Sequence, residues 1–101
     1  MAAYFIVSIS IPVTDSGAKN RGDYDEYIAR VKPIVENHGG EYIIRSEKIA
    51  HLAGEWKPDR LIVIRFPSPE KLEKCFASPE YKRIETMRTH SVHSSVILVE
   101  E

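Results

Sequence analysis

The sequence predicts an α+β fold, one antiparallel sheet of four strands with helices on one of its faces, in the order βαββαβ. Three observations carry that prediction. Four runs, YFIVSISI (4–11), EYIIRS (41–46), RLIVIRF (60–66) and SSVILVE (94–100), have the β-branched and aromatic composition of strands. Between the first two runs lies an apolar stripe at helical spacing. Between the last two, the triplet Ser-Pro-Glu occurs twice, and each copy reads as a helix start.

In the first run, Phe5, Val7, Ile9 and Ile11 share one face, and Tyr4, Ile6, Ser8 and Ser10 share the other. Pro12 ends the strand, and TDSGAKNRG is polar loop. Asp23 is the expected N-cap of the first helix, with Glu26 reaching back to close a capping box. Tyr24, Tyr27, Ile28, Val31, Ile34, Val35 and His38 form its inward stripe. Pro33 removes a backbone donor inside that helix and predicts a bend. Gly39-Gly40 ends the helix, because glycine takes the left-handed cap conformation without a Cβ clash, and His38 suits its negative end.

The second strand, 41–46, is expected to continue into KIAHLA (48–53), followed by a turn over GEWKPDR. In the third strand Ile62, Ile64 and Phe66 share one face, and Leu61, Val63 and Arg65 the other. The two Ser-Pro-Glu triplets predict one helical region broken into 69–77 and 79–89. Leu72, Cys75 and Phe76 point inward from the first piece, and Tyr81, Ile84 and Arg88 share a face of the second. Two βαβ-like halves joined by a hairpin give a ferredoxin-like split sheet with both helices on one face. The other face is then bare, with Ile6, Ile43, Val63 and Val96 as its expected members. A second copy of the chain is the simplest cover, giving a two-fold homodimer.

Length and composition bound the rest. The chain of 101 residues is expected to be one domain, 1–101. With 14 basic and 15 acidic residues interspersed, the net charge is −1, which excludes the clustered basic footprint of a nucleic-acid binder or a polybasic membrane anchor. The apolar N-terminus lacks a basic leader and is too short to span a bilayer, and a lone cysteine fits a reducing compartment. The expectation is a soluble cytoplasmic protein.

Certain residues form an ordered set: Tyr27, Pro33, His38-Gly39-Gly40, Arg45, the G-x-W-x-P-x-R run from Gly54 to Arg60, Phe66-Pro67-Ser68, Ser78-Pro79-Glu80-Tyr81 and Arg88. This set, which spans nearly the whole chain, resembles the domain-of-unknown-function family DUF1330 in the dimeric α/β-barrel superfamily. The sequence departs from the family pattern twice. Ser46-Glu47 stands where a glycine pair usually follows the strand arginine, and Cys75-Phe76 stands where Trp-Tyr usually precedes S-P-E-Y. The resemblance implies a homodimer with two clefts, each between the sheet and helices of one subunit. The wider superfamily includes cofactor-free monooxygenases, lactone isomerases and haem-degrading proteins, while the family itself has no agreed reaction.

The candidate ligand-binding residues are Arg45, Arg65, Trp56 and Arg88. A guanidinium held at a cleft grips a carboxylate or enolate oxygen through its planar fork. The competing reading is an arginine solvated or paired at a strand end. Trp56 is a lid over the ligand or a pin for its turn. Arg88 shares a helix face with Tyr81, and the pair also serves to dock that helix. His51 and Tyr27 are the candidate proton carriers. No cofactor signature is present, and His90 and His93 sit at a helix-to-strand junction without ligand partners at metal-binding spacing. Two functions follow. One is a small cofactor-free enzyme of monooxygenase or isomerase type acting on a small organic anion. The alternative is a non-catalytic dimeric binding or interaction module.

Overall fold

A computed structural model describes residues Met1–Glu101. Strand β1 (Ala3–Ser10) is followed by helix α1 (Tyr24–Asn37), strands β2 (Glu41–Ser46) and β3 (Arg60–Phe66), helices α2 (Pro69–Phe76), α3 (Pro79–Lys82) and α4 (Glu85–Thr89), and strand β4 (His93–Glu100). The sheet order is β2-β3-β1-β4 and every pairing is antiparallel, so the ferredoxin-like topology expected from the element order is present.

One sheet face carries the core. Val7, Ile9, Ile62, Ile64 and Phe66 are buried against Tyr27, Val31 and Val35 of α1 and Leu72, Cys75 and Tyr81 of the later helices. On the other face a single apolar row crosses all four strands. Ile97 lies beside Ile6, Ile6 beside Val63, and Val63 beside Ile44. Val96, expected on this face, pairs with the inward Val7 and so belongs to the helix face. The alternation of β4 is set by that pairing, which the strand's own sequence does not reveal.

The helix ends show which local signals act. At the end of α1, the Gly40 amide donates to the Val35 carbonyl (2.9 Å) and the Gly39 amide to the Glu36 carbonyl (3.1 Å). This is a Schellman cap, with Gly39 at φ +86°. His38 Nδ1–H donates to the Ile34 carbonyl at 2.8 Å, filling one more orphan acceptor. Both serines of the Ser-Pro-Glu triplets cap as expected: Ser68 Oγ accepts from the Lys71 amide and Ser78 Oγ from the Tyr81 amide. The capping box at Asp23 does not form. Asp23 makes no side-chain cap bond, and its own amide donates to Ser91 Oγ at 2.9 Å, a non-local partner. Helix α1 runs without interruption across Pro33, and the expected 79–89 helix is divided into α3 and α4.

Residues 47–59 form no extension of β2; they are a loop. Its end is fastened by Asp59. The Asp59 amide donates to the Ile9 carbonyl at 2.8 Å, and its carboxylate accepts from the Ile11 amide at 2.7 Å and from Lys19. The Ile11 bond, with Lys19 beside it, holds the Asp59 carboxyl below its usual range. The middle of the P-x-R segment thus ties the start of β3 to the end of β1.

Cys75 is fully buried, and burial pushes its thiol up to about 12. The thiolate is the reactive form. Native protein at pH 8 should therefore resist a thiol-labelling reagent that modifies the urea-unfolded chain within minutes. Equal labelling rates in the two states would show that the helix α2 face opens in the native protein.

Candidate functional site

A cavity lies between the sheet and the helices. Its floor is Phe5 and Val7 of β1 with Ile62 and Ile64 of β3, and its roof is Tyr24, Tyr27, Ile28 and Val31 of α1. Phe76 closes one side, stacked on Phe5 at 4.0 Å between ring centroids. Three arginines reach it from three elements: Arg45 from β2, Arg60 from the start of β3, and Arg88 from α4. The volume open to the centres of water-sized spheres is about 40 Å³. One water needs roughly 10–15 Å³ by that measure, so the space is a narrow slot.

Arg45 reaches the cavity because β2 is irregular. Tyr42 pairs with Ile64, but Ile44 pairs with Val63, so one residue is extra between them. Ile43 and Ile44 are both exposed, and Arg45, beside Ile62, returns to the helix side. Strict alternation from Tyr42 would have turned Arg45 to the outer face. The Arg45 guanidinium lies over the Tyr42 ring, 4.9 Å from its centroid.

The polar lining consists of donors. Tyr27 Oη and Tyr81 Oη are 3.0 Å apart in a buried pair, where either hydroxyl donates to the other. Burial, reinforced by Tyr81, holds the Tyr27 phenol well above its ordinary range. Burial also pushes the Tyr42 phenol up to about 12, against the pull of Arg45. Both rings are neutral at physiological pH and offer an O–H. Burial works against the charge on Arg88, but Tyr81 and Tyr27 outweigh it and raise the guanidinium further above its ordinary value. Arg88 Nη1 donates to Ser94 Oγ of β4. No carboxylate and no histidine is among the lining residues.

Arg60 is the member that sequence reasoning left out, as a mere flank of a turn. It is 8 % exposed and donates through Nη1 to Glu47 Oε2 at 3.3 Å. Its Nε is buried with no hydrogen-bond partner. The signal was present in the strand: Arg60 has the same parity as Ile62, Ile64 and Phe66, which places it on the core face.

Among the candidates named from sequence, Tyr27, Arg45 and Arg88 line the cavity. Arg65 does not. It pairs with Tyr4 and Glu41 on the outer face and is exposed, as its parity opposite to Ile64 requires. His51 and Trp56 line a second, wider groove of about 340 Å³ with Leu52, Pro58 and Leu61. His51 Nε2–H donates to the Pro58 carbonyl at 3.0 Å, and Trp56 is 66 % exposed. The 47–59 loop, where the sequence predicts strand over 48–53 and turn over 54–60, carries both away from the cavity. His51 and Tyr27 are thus not assembled as a proton-carrying pair, and Trp56 does not cover the slot. Of the pairs Cys75-Phe76 and Ser46-Glu47, Phe76 is part of the wall, and Glu47, outside the lining, holds Arg60 and Arg21.

A model of the family described as "Domain of unknown function (DUF1330)" matches residues 2–101. No curated protein matches the sequence. Among solved structures, a protein of unknown function from Rhodopseudomonas palustris superposes with a TM-score of 0.80 at 16 % identity, covering 99 % of this chain and 82 % of that one. SnoaB, a cofactor-independent oxygenase from Streptomyces nogalater, gives 0.68 at 11 % identity, covering 99 % and 92 %. A dimeric ferredoxin-like protein of unknown function from a Jannaschia species gives 0.65 at 11 % identity over all of both chains. These likenesses establish a shared fold. No helix of the chain is long and apolar enough to cross a membrane.

Proposed function

The chain belongs to the DUF1330 family, and from that premise we propose that it is a homodimeric, cytoplasmic, cofactor-free enzyme acting on a small organic anion in the slot between sheet and helices. The observation that carries this reading is the lining itself: three guanidinium groups and neutral phenol donors around an apolar slot with no counter-carboxylate on its wall. Such a site favours negative charge that develops on oxygen, because its donors are already oriented and partly shielded from water. Arg45 grips the anion at the mouth, and Arg88 and the Tyr27 hydroxyl face it from the helix side; an enolate oxygen is stabilised there without reorganisation as the proton on the neighbouring carbon passes to water, because the lining itself supplies no base. The cofactor-independent oxygenase among the fold relatives supports the reading by analogy only. The dimeric fold relative and the bare apolar row on the outer sheet face support the homodimer. The single buried thiol suits a reducing compartment.

The absence of a carboxylate or histidine from the lining favours a second reading, a binding module that holds the anion without moving a proton. Calorimetric titration of small carboxylates and phenols into the full chain, followed by NMR of solvent deuterium exchange next to the ligand's carbonyl, separates the two. Binding with accelerated exchange is expected, and Arg45→Ala should weaken binding at least about tenfold, the scale of one charge-assisted contact. Binding without exchange leaves the module reading. No binding of any anion, or an Arg45→Ala protein identical to the native one, overturns the site.

A further inference from the structure

Arg60 is held in a way that a purely structural arginine is not. Its guanidinium is about nine-tenths buried, yet its one hydrogen bond is the 3.3 Å contact to Glu47, and its Nε is sealed from solvent without an acceptor. An unsatisfied buried donor on a charged group is costly, and native proteins rarely leave one without use. The same side chain lines the slot. Nε and the terminal nitrogen beside it form the side-on edge of the guanidinium fork, the edge that takes a carboxylate in two parallel bonds. Glu47 engages Nη1, the other terminal nitrogen, and leaves Nε without an acceptor.

Glu47 is itself loosely placed. Its side chain is 42 % exposed, and it is shared between Arg60 and Arg21 (Nη1, 2.8 Å). Arg21 also holds Asp25. Arg21 therefore keeps a carboxylate partner if Glu47 turns away, and Arg60 keeps none.

We infer that Arg60 acts with Arg45 as an anion-holding residue of the slot, that its Nε edge takes the carboxylate of a short monocarboxylate of two to four carbons, and that the Glu47 charge on Nη1 of the same guanidinium weakens that binding. This deepens the proposed function and rests on it. The size limit follows from the slot, which has room for only a few water-sized groups. The single charge follows from the lining, where aliphatic and aromatic walls surround the arginines and leave an alkyl tail in apolar contact. Glu47 and the ligand take different nitrogens of Arg60, and the two carboxylates repel each other across one guanidinium, while Arg21 holds Glu47 at the start of the 47–59 loop.

The test uses propionate and its neutral isostere propionamide, titrated into the full chain and followed by amide chemical shifts. Propionate should perturb residues around Ile62 and Arg60, and propionamide should not. Arg60→Lys keeps the charge and removes the fork, and should weaken propionate at least about tenfold. Glu47→Gln removes the opposing charge and leaves the cavity wall intact, so it should bind propionate about fivefold more tightly, the scale of a partly exposed ion pair. It also keeps the proposal testable if Arg60→Lys fails to fold. Equal binding of propionamide, native affinity in Arg60→Lys, or weaker binding in Glu47→Gln overturns the inference. Phenolate or phosphate binding at the slot while propionate fails sinks the inference alone. Failure of every anion sinks the site reading with it.

Discussion

Gly40→Ala is expected to lower the unfolding free energy by about 1–3 kcal/mol, the range found when a methyl is forced into a packed core. Gly40 follows the Schellman cap of α1 and meets the core at the point where the chain enters β2. A Cβ there would stand 2.5 Å from Val35 Cγ1 and 2.9 Å from Phe66 Cζ. Neither neighbour is free to move. Val35 and Phe66 are fully buried, and Phe66 is packed edge-on against Phe76, 5.9 Å between centroids. Chemical denaturation at one fixed protein concentration measures the cost, since dimerisation would otherwise shift the midpoint. Val35→Ala removes the nearer obstacle, so Gly40→Ala should cost about 1 kcal/mol less in that background. Equal cost in both backgrounds would mean the strain lies in the backbone.

Gly40 shows why the sequence was informative about architecture. The signals that read correctly are local: the Gly-Gly helix end, the two serine caps, and the period-two parity of β3. The signals that misled depend on distant partners. Asp23 looked like a cap, but Ser91, far along the chain, takes its amide. The segment 48–53 has strand composition and no strand to pair with, so it is a loop fastened through Asp59. At the candidate site the same division holds. Tyr27 follows from the helical stripe of α1. The inward turn of Arg45 depends on one extra residue in β2, whose presence is a property of the β2–β3 pairing and not of either strand. Arg60 and Arg65 were both legible from parity, Arg60 with the core residues and Arg65 against them. The turn assigned to GEWKPDR hides the first, and Arg65, although on the face of Leu61 and Val63, is a ligand-binding candidate on alternation alone.

In the proposed homodimer, Ile97→Asp is expected to separate the two copies in solution. Ile97, Ile6, Val63 and Ile44 form the apolar row across the outer sheet face, and Ile97 is 57 % exposed in the isolated chain. The next row is polar at one end: Val99 and Tyr4 are followed by Arg65 and Glu41. An apolar centre with a charged margin has the anatomy of an interface. In a two-fold dimer the substitution enters twice, and each carboxylate would lose water without gaining a partner. A penalty of about 3 kcal/mol per buried unpaired charge raises the dissociation constant at least about a hundredfold. The isolated chain should tolerate the change, because this side chain is already half in water. Light scattering at micromolar concentration should give twice the 11.5 kDa chain mass for the native protein and the single-chain mass for Ile97→Asp. The same charge at the exposed helix position Ala29 should leave the mass doubled. A native protein of single-chain mass would leave the apolar row without a second copy to cover it. A doubled mass for Ile97→Asp would move the interface elsewhere, with the exposed Leu52 and Trp56 of the 47–59 loop as the next surface to test.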